Sequence, residues 1–244
     1  MRPIAGFAGP SLPQLLPLKH PPHHSKKGVS VTVATINDDY TDRVSNLDNV
    51  KKKASVLLVQ EAKNTRVRDV LGDRFGVHQD FAHKDKAGAA VAWNRKDVDV
   101  MDSGYAVGVR PNGHKLLTRW INYNDMKIDG QKVRMISVHR PPPRDSALWP
   151  EFNRNLAEFI KKTNGPVIVG MDANHSDPVK MEKATGLRWV APKGSIDGFL
   201  VSDTVHVESM QRLPRGPSDH NPVVAKFRIR PAHEKTIFQP SGPR

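Results

Sequence analysis

Four short apolar runs in this chain each stop at one polar residue: VTVATI at Asn37, VLLVQ at Glu61, RMISV at His139, and VIVGM at Asp172, with Asn174 two positions on. Runs this short and this rich in Val, Ile and Leu read as strands buried on both faces. Such strands need covering layers, and in a layered α/β fold adjacent strand ends share one rim. Two later segments fit the pattern: Asp197 lies inside SIDGFLV, and Asp219-His220 opens PVVAKF after Gly216-Pro217-Ser218. Singly, each polar residue has an ordinary explanation as a turn, a helix cap, an Asx-turn or a partly buried histidine. Their recurrence at strand ends points to a site, because groups distant in sequence would converge there.

The rest of the chain agrees with a layered fold. Residues 41–54 repeat Val44, Leu47 and Val50 at helical spacing, and AGAAVAWN (87–94) is a strand of small residues. DVMDSGYAV, LLTRWINYN and KVRMISVHR alternate in part and are separated by PNG and DG turns, which predicts an antiparallel meander. Leu148, Phe152, Leu156, Phe159 and Ile160 mark one face of a helix over 147–162, and Asn164-Gly165-Pro166 stops it. SIDGFLVSD and VVAKFRIR are the last strong strands. Strands and helices do not alternate strictly, so a mixed α/β sandwich is expected and a Rossmann fold is not. Residues 1–28, repeatedly broken by Pro, read as a disordered basic arm whose His20, His23 and His24 belong to a solvated polar tract. The folded domain is expected over 29–230, followed by a flexible tail over 231–244.

Composition narrows the chemistry. The chain has 244 residues and no cysteine, which excludes disulfides and thiolate metal sites and fits a cytoplasmic or other reducing setting. No apolar run approaches the roughly 20 residues that cross a bilayer. The N-terminus lacks the apolar core and cleavage pattern of a signal peptide. Lys and Arg number 38 against 25 Asp and Glu, a net charge of +13 that is spread along the chain. That surplus favours a polyanionic partner: nucleic acid first, then acidic membrane surfaces or inositol phosphates.

Glu, Asp and Asn supply hard oxygen ligands suited to Mg²⁺ or Mn²⁺. Histidines with acidic partners exchange protons near neutral pH. Metal, base and cationic stabiliser together are what phosphodiester hydrolysis by water requires. No G-x-S-x-G elbow, reactive thiol or Gly-rich phosphate loop is present, so covalent acyl transfer and nucleotide-driven motors find no support.

The ordered set Asn37, VQE to Glu61, SVH to His139, GMDAN (170–174), SID (195–197) and SDHNPV (218–223) resembles the endonuclease/exonuclease/phosphatase superfamily, over about residues 29–230. That family includes deoxyribonuclease I, abasic-site nucleases of the exonuclease III type, sphingomyelinases and inositol polyphosphate 5-phosphatases. The resemblance implies a four-layer α/β sandwich, two packed mixed β-sheets flanked by helices, with the site on one rim. It also implies Glu61 as the main metal ligand, with Asn37 and Asp219 helping to place metal and phosphate. Asp172 would orient or deprotonate the attacking water, with Asn174 holding it. His220, paired with Asp197, would act on the scissile phosphate, and His139 would bind a phosphate oxygen or protonate the leaving group. His139 stands where abasic-site nucleases carry Tyr, which points away from that branch. Met171 departs from the family's G-D-x-N, His139-Arg140 from its His-Leu, and Gly198 replaces a common aromatic, an exchange expected to open the pocket.

The expected activity is Mg²⁺- or Mn²⁺-dependent hydrolysis of DNA, in preference to RNA, with little sequence specificity and 5′-phosphate products, by a monomer. Arg140, Arg144, Arg212 and Arg215 are placed in sequence to grip backbone phosphates. The alternative substrates are inositol phosphates, phospholipids or nucleotides. A non-catalytic nucleic-acid-binding module is the remaining possibility, disfavoured because no ligand position is broken.

Overall fold

The computed structural model describes residues 28–39, 45–111, 116–176 and 178–231. The basic arm with its three histidines, the start of the 41–54 helix, the Asn112-Gly113 turn and the tail beyond Pro231 lie outside the described residues. In chain order the elements are β1 (Val29–Asn37), α1 (Ser45–Lys51), β2 (Val56–Gln60), α2 (Val67–Leu71), β3 (Phe75–His78), β4 (Ala89–Asn94), β5 (Asp99–Val109), β6 (Arg119–Ile128) and β7 (Gln131–His139). A 3-10 segment (Pro143–Leu148) then leads into α3 (Trp149–Lys161), β8 (Val167–Asp172), α4 (Val179–Thr185), β9 (Arg188–Val190), β10 (Asp197–Val201), β11 (Val205–Arg212) and β12 (Val223–Ile229).

The described strands form two six-stranded sheets, ordered β11-β12-β1-β2-β4-β3 and β5-β6-β7-β8-β10-β9. Each is mixed: β1 and β2 are parallel in the first, β7 and β8 in the second, and the remaining pairs are antiparallel. The expected meander is β5-β6-β7, and its DG turn is a two-residue hairpin with Asp129 and Gly130 at φ 47° and 82°. Positive φ at both central residues is what lets a short hairpin follow the strand twist.

Strand alternation sorts the side chains into three cores. Val31, Val33, Leu58, Met135, Ile168, Phe199 and Phe227 fill the space between the sheets. Val50, Leu57 and Leu71 seat α1 and α2 on the outside of the first sheet. Val138, Phe152, Leu156, Val169 and Met181 seat α3 and α4 on the outside of the second. The result is the expected four-layer α/β sandwich. No helix among the described residues is long and apolar enough to cross a membrane.

Towards one end the sheets approach closely. A Cβ at Gly170 would stand 2.6 Å from Leu58 Cδ1 and 3.1 Å from Thr35 Cβ on the opposite sheet, so only glycine fits there. Five elements have weak sequence signals. β3 and β9 are four and three residues long, α2 is five, and β11 is a bulged edge strand whose VHVESMQR leaves most side chains half-buried or exposed. α4, seven residues after the Asp172 loop, carries Val179 exposed at its start.

Candidate active site

Strand direction and register alone bring the rim together. β1 and β2 run parallel and finish side by side, with Asn37 opposite Gln60. In the second sheet β7 and β8 finish together while antiparallel β10 starts there, so His139, Asp172 and Asp197 form one row across three strands. Asp197 is the first residue of its strand, not an interior one as its sequence position suggested. The turn before β12 lies beside the end of β1: Ser218 Oγ donates to the Asn37 carbonyl at 2.8 Å and accepts from His220 N at 3.0 Å. Asn37, His139, Asp172 and Asp197 have the same strand parity as the intersheet core, so the rim is the polar top of that core.

A polar tier separates it from the apolar floor. Buried Gln60 accepts from Thr35 Oγ1 (3.2 Å), and its Nε2 reaches Ser137 Oγ (3.0 Å) and the carbonyls of Leu58 and Gly170. Ser137 Oγ in turn donates to the Val59 carbonyl at 2.7 Å. The two sheets are thus hydrogen-bonded to each other one step below the site, which fixes the position of what stands above.

Asp172 is the hub. It is 1% exposed; its Oδ1 accepts Asn174 N at 2.7 Å, and its Oδ2 lies 3.0 Å from Asn37 Nδ2, 3.2 Å from His139 Nε2 and 3.8 Å from His220 Nε2. Burial works against its charge, but the two imidazoles and the Asn174 amide outweigh burial and hold the carboxyl below its ordinary range. Asn174 sits at φ 51° and uses Nδ2 twice, towards the Arg140 carbonyl (2.8 Å) and His139 Nε2 (3.0 Å). His139 Nε2 thus faces both Asn174 and Asp172 Oδ2, while Nδ1 stands 3.3 Å from Glu61 Oε1 but out of line for a hydrogen bond.

His220 and Asp197 form a dyad, with Nδ1 to Oδ2 at 2.8 Å. Burial opposes charge on His220, yet Asp197 and then Asp172 and Asp219 overcome it and raise its pKa to about 9. For Asp197 burial remains the larger influence, so its pKa sits above normal even with His220 beside it. Between those limits the dyad is an ion pair with Nε2–H turned towards Asp172. Asp172, Asp197 and His220 are close enough to hold a cation, but a protonated imidazole is no ligand, so the dyad fits proton chemistry better than metal binding.

Glu61 suits a metal better. It follows β2 at φ 55°, a conformation that costs a non-glycine residue roughly 1–2 kcal/mol, and it presents a hard carboxylate at the rim. Asn37 Oδ1 accepts from Asp39 N at 2.9 Å, and Asp219 is 71% exposed with Oδ1 3.6 Å from His220 Nε2.

Of the proposed phosphate-gripping arginines, Arg140 turns away from the rim. Arg140 follows His139 and therefore points to the other face of the sheet, under α3 and against Trp149. Arg144 is 83% exposed and lies 3.6 Å from Asp145; Arg212 is exposed and donates to the Lys193 carbonyl; Arg215 is exposed beyond β11. The opening expected at Gly198 is absent, because a Cβ there would meet Ala191 Cβ at 2.6 Å and Trp189 Cζ2 at 2.8 Å. The missing side chain faces away from the rim, into space Trp189 already fills. Sequence inspection also overlooked Arg119 and Trp120, which with Glu61, Asp85 and His139 line a small hollow of about 20 Å³. Arg119 Nε is buried there without a hydrogen-bond partner, and Trp120 Nε1 donates to Asp85 at 3.0 Å. The only signal in sequence was their place at the start of a strand, in TRW.

No protein-family model matches the chain, and no curated protein does. Solved structures do. An endonuclease/exonuclease/phosphatase protein from Bacteroides vulgatus aligns with a TM-score of 0.63 at 17% identity, covering 82% of this chain and 99% of that one. A mannosyl-6-phosphatase from Bacteroides thetaiotaomicron aligns at 0.60 and 16%, covering 81% and 99%. The human Nocturnin catalytic domain, solved with a bound sulfate anion, aligns at 0.63 and 14%, covering 82% and 93%.

Proposed function

With the fold of the endonuclease/exonuclease/phosphatase proteins as premise, we propose that this chain is a divalent-metal-dependent phosphodiester hydrolase acting on DNA with little sequence specificity. The observation that carries this is the gathering of Asn37, His139 and His220 around the buried carboxylate of Asp172.

Each residue has a task its surroundings support. Asp172, kept ionised, accepts a hydrogen bond from the attacking water or takes its proton. Asn37 and Asn174 fix the carboxylate from both sides, with Asn37 Nδ2 on Oδ2 and the Asn174 backbone amide on Oδ1. His220 is charged at neutral pH and, with Asp197 on Nδ1, aims Nε2–H at the phosphoryl oxygens, where negative charge grows as the bond to phosphorus forms. His139 is flanked by Glu61 and Asp172 and can carry a proton to the leaving oxygen. Glu61 would hold Mg²⁺ or Mn²⁺ with help from Asn37 and Asp219, and the ion when bound would neutralise phosphate charge and lower the pKa of water. The net charge of +13 suits a long polyanion, and Arg119 adds a cation beside Glu61.

A mannosyl-6-phosphatase shares this fold, so phosphate esters other than DNA are the second reading. The test is a panel of plasmid DNA, RNA, a phosphoinositide, a sugar phosphate and nucleotides, with Mg²⁺, Mn²⁺ or chelator, using wild type, Glu61→Gln and His220→Ala. Metal-dependent nicking lost in both variants is expected. Turnover of a phosphate ester without nicking would replace DNA as substrate, and no turnover of any ester would leave only a binding module.

A further inference from the structure

Behind the rim, between α3 and α4, lies a cavity of about 420 Å³ that the hydrolytic site does not use. Its wall contains a buried cation without a counter-ion. Arg140 is 2% exposed, and its guanidinium carbon lies 3.8 Å from the centre of the Trp149 ring. Among the described residues no carboxylate pairs with it, and its buried Nε has no hydrogen-bond partner. Burial alone lowers its pKa to about 10. A second polar group shares the wall: Asn153, 6% exposed, whose Oδ1 is also without a partner. A buried charge and a buried amide left unpaired each carry a desolvation penalty that a bound ligand would relieve.

We propose that this cavity binds a small organic phosphate of about mononucleotide size, at a site separate from the catalytic rim. The volume lies within the usual range for small-molecule pockets. A planar guanidinium held over the face of an aromatic ring is suited to donating two parallel hydrogen bonds to a phosphate. Arg154, Lys161 and Lys180 stand at the mouth with Glu158 as the only carboxylate of the lining, so the field favours a dianion. Trp149, Pro150, Ala157 and Ala184 supply the apolar surface a flat organic body needs. Asn153 offers either end of its amide to a hydroxyl or a ring nitrogen.

The test is calorimetric titration of the full chain in chelator with 5′-AMP, inorganic phosphate and adenosine. AMP is expected to bind wild type and His220→Ala equally, which separates the cavity from the rim. Arg140→Met should abolish binding without unfolding the protein, since a buried unpaired charge replaced by an apolar chain of similar length is tolerated. Lys180→Glu, on an exposed helix position, should weaken AMP about tenfold and serves even if Arg140→Met fails to fold. Loss of AMP binding in His220→Ala, its survival in both cavity variants, or no binding of AMP at millimolar concentration would each overturn the site. Equal affinity for inorganic phosphate or for adenosine would overturn an organic phosphate as its ligand.

Discussion

The same strands build the bottom and the top of the space between the sheets, and the two ends behave as different materials. At the bottom, Ile168 on β8 and Phe199 on β10 pack with Leu58 and Phe227 in a dry core. Four residues above Ile168 on the same face of β8 stands Asp172, and two residues before Phe199 on β10 stands Asp197. Between the two ends runs the tier of Thr35, Gln60, Ser137 and Gly170. The bottom is held by shape and can lose a side chain only at the cost of a void. The top is held by directed hydrogen bonds and charge, where loss of a group changes chemistry more than volume. A site built this way inherits its rigidity from below.

That contrast can be broken from either end. The largest expected effect is on chemistry at the top: Asp172→Asn or His220→Ala should lower the rate of phosphodiester cleavage by about 10³-fold. Above pH 9, where the charge on His220 no longer stabilises the fold, the melting temperature of His220→Ala should match wild type, as checked by initial rates beside calorimetry. Equal losses of rate and stability would mean that the rim is structural. At the bottom, Phe199→Ala should destabilise by about 3–5 kcal/mol in denaturant titration. Residual activity per folded molecule should survive, because the rim retains all its groups. A normal denaturation midpoint for this variant would remove the dry floor from the account.

Gly170 joins the two regimes. Gly170→Ala should cost about 1–3 kcal/mol by overpacking against Leu58 and, unlike Phe199→Ala, should also slow catalysis by shifting Asp172, two residues along the strand. A stability loss with unchanged turnover would show that the middle tier does not set the rim geometry. The smallest effect expected is on pH dependence. His220 is raised from 6.5 to about 9 in the folded chain, so its stabilisation is complete below 6.5 and is lost as pH climbs towards 9. Melting curves in chelator should therefore fall more steeply for wild type than for His220→Gln between those values; parallel curves would remove the ion pair.

Much of this was legible in the sequence because it depends on period. VSVTVATIN, VLLVQ and VIVGMD announce buried strands by composition alone, and each was found with bounds close to those expected. The polar residues that end them were identified one by one, since a strand that turns polar at one end has a surface to reach. Short or edge elements such as β3, β9 and β11 were not legible, because a strand with one solvated face or only a few residues lacks a distinctive pattern. Gly198 shows the limit at a single position: the motif suggested room, but a neighbouring tryptophan occupies it.

The sequence by itself determined which polar residues end the apolar strands and that those strands must be buried. Only the tertiary structure decided how these residues face one another. Register set His139, Asp172 and Asp197 in one row, and the Ser218 turn brought His220 to the end of β1. Alternation along β7 sent His139 to the rim and its neighbour Arg140 to the opposite face, into a cavity no motif announces. Adjacent residues in a strand point to opposite sides of a sheet, so nearness in sequence separates them and pairing between strands unites what the sequence keeps far apart.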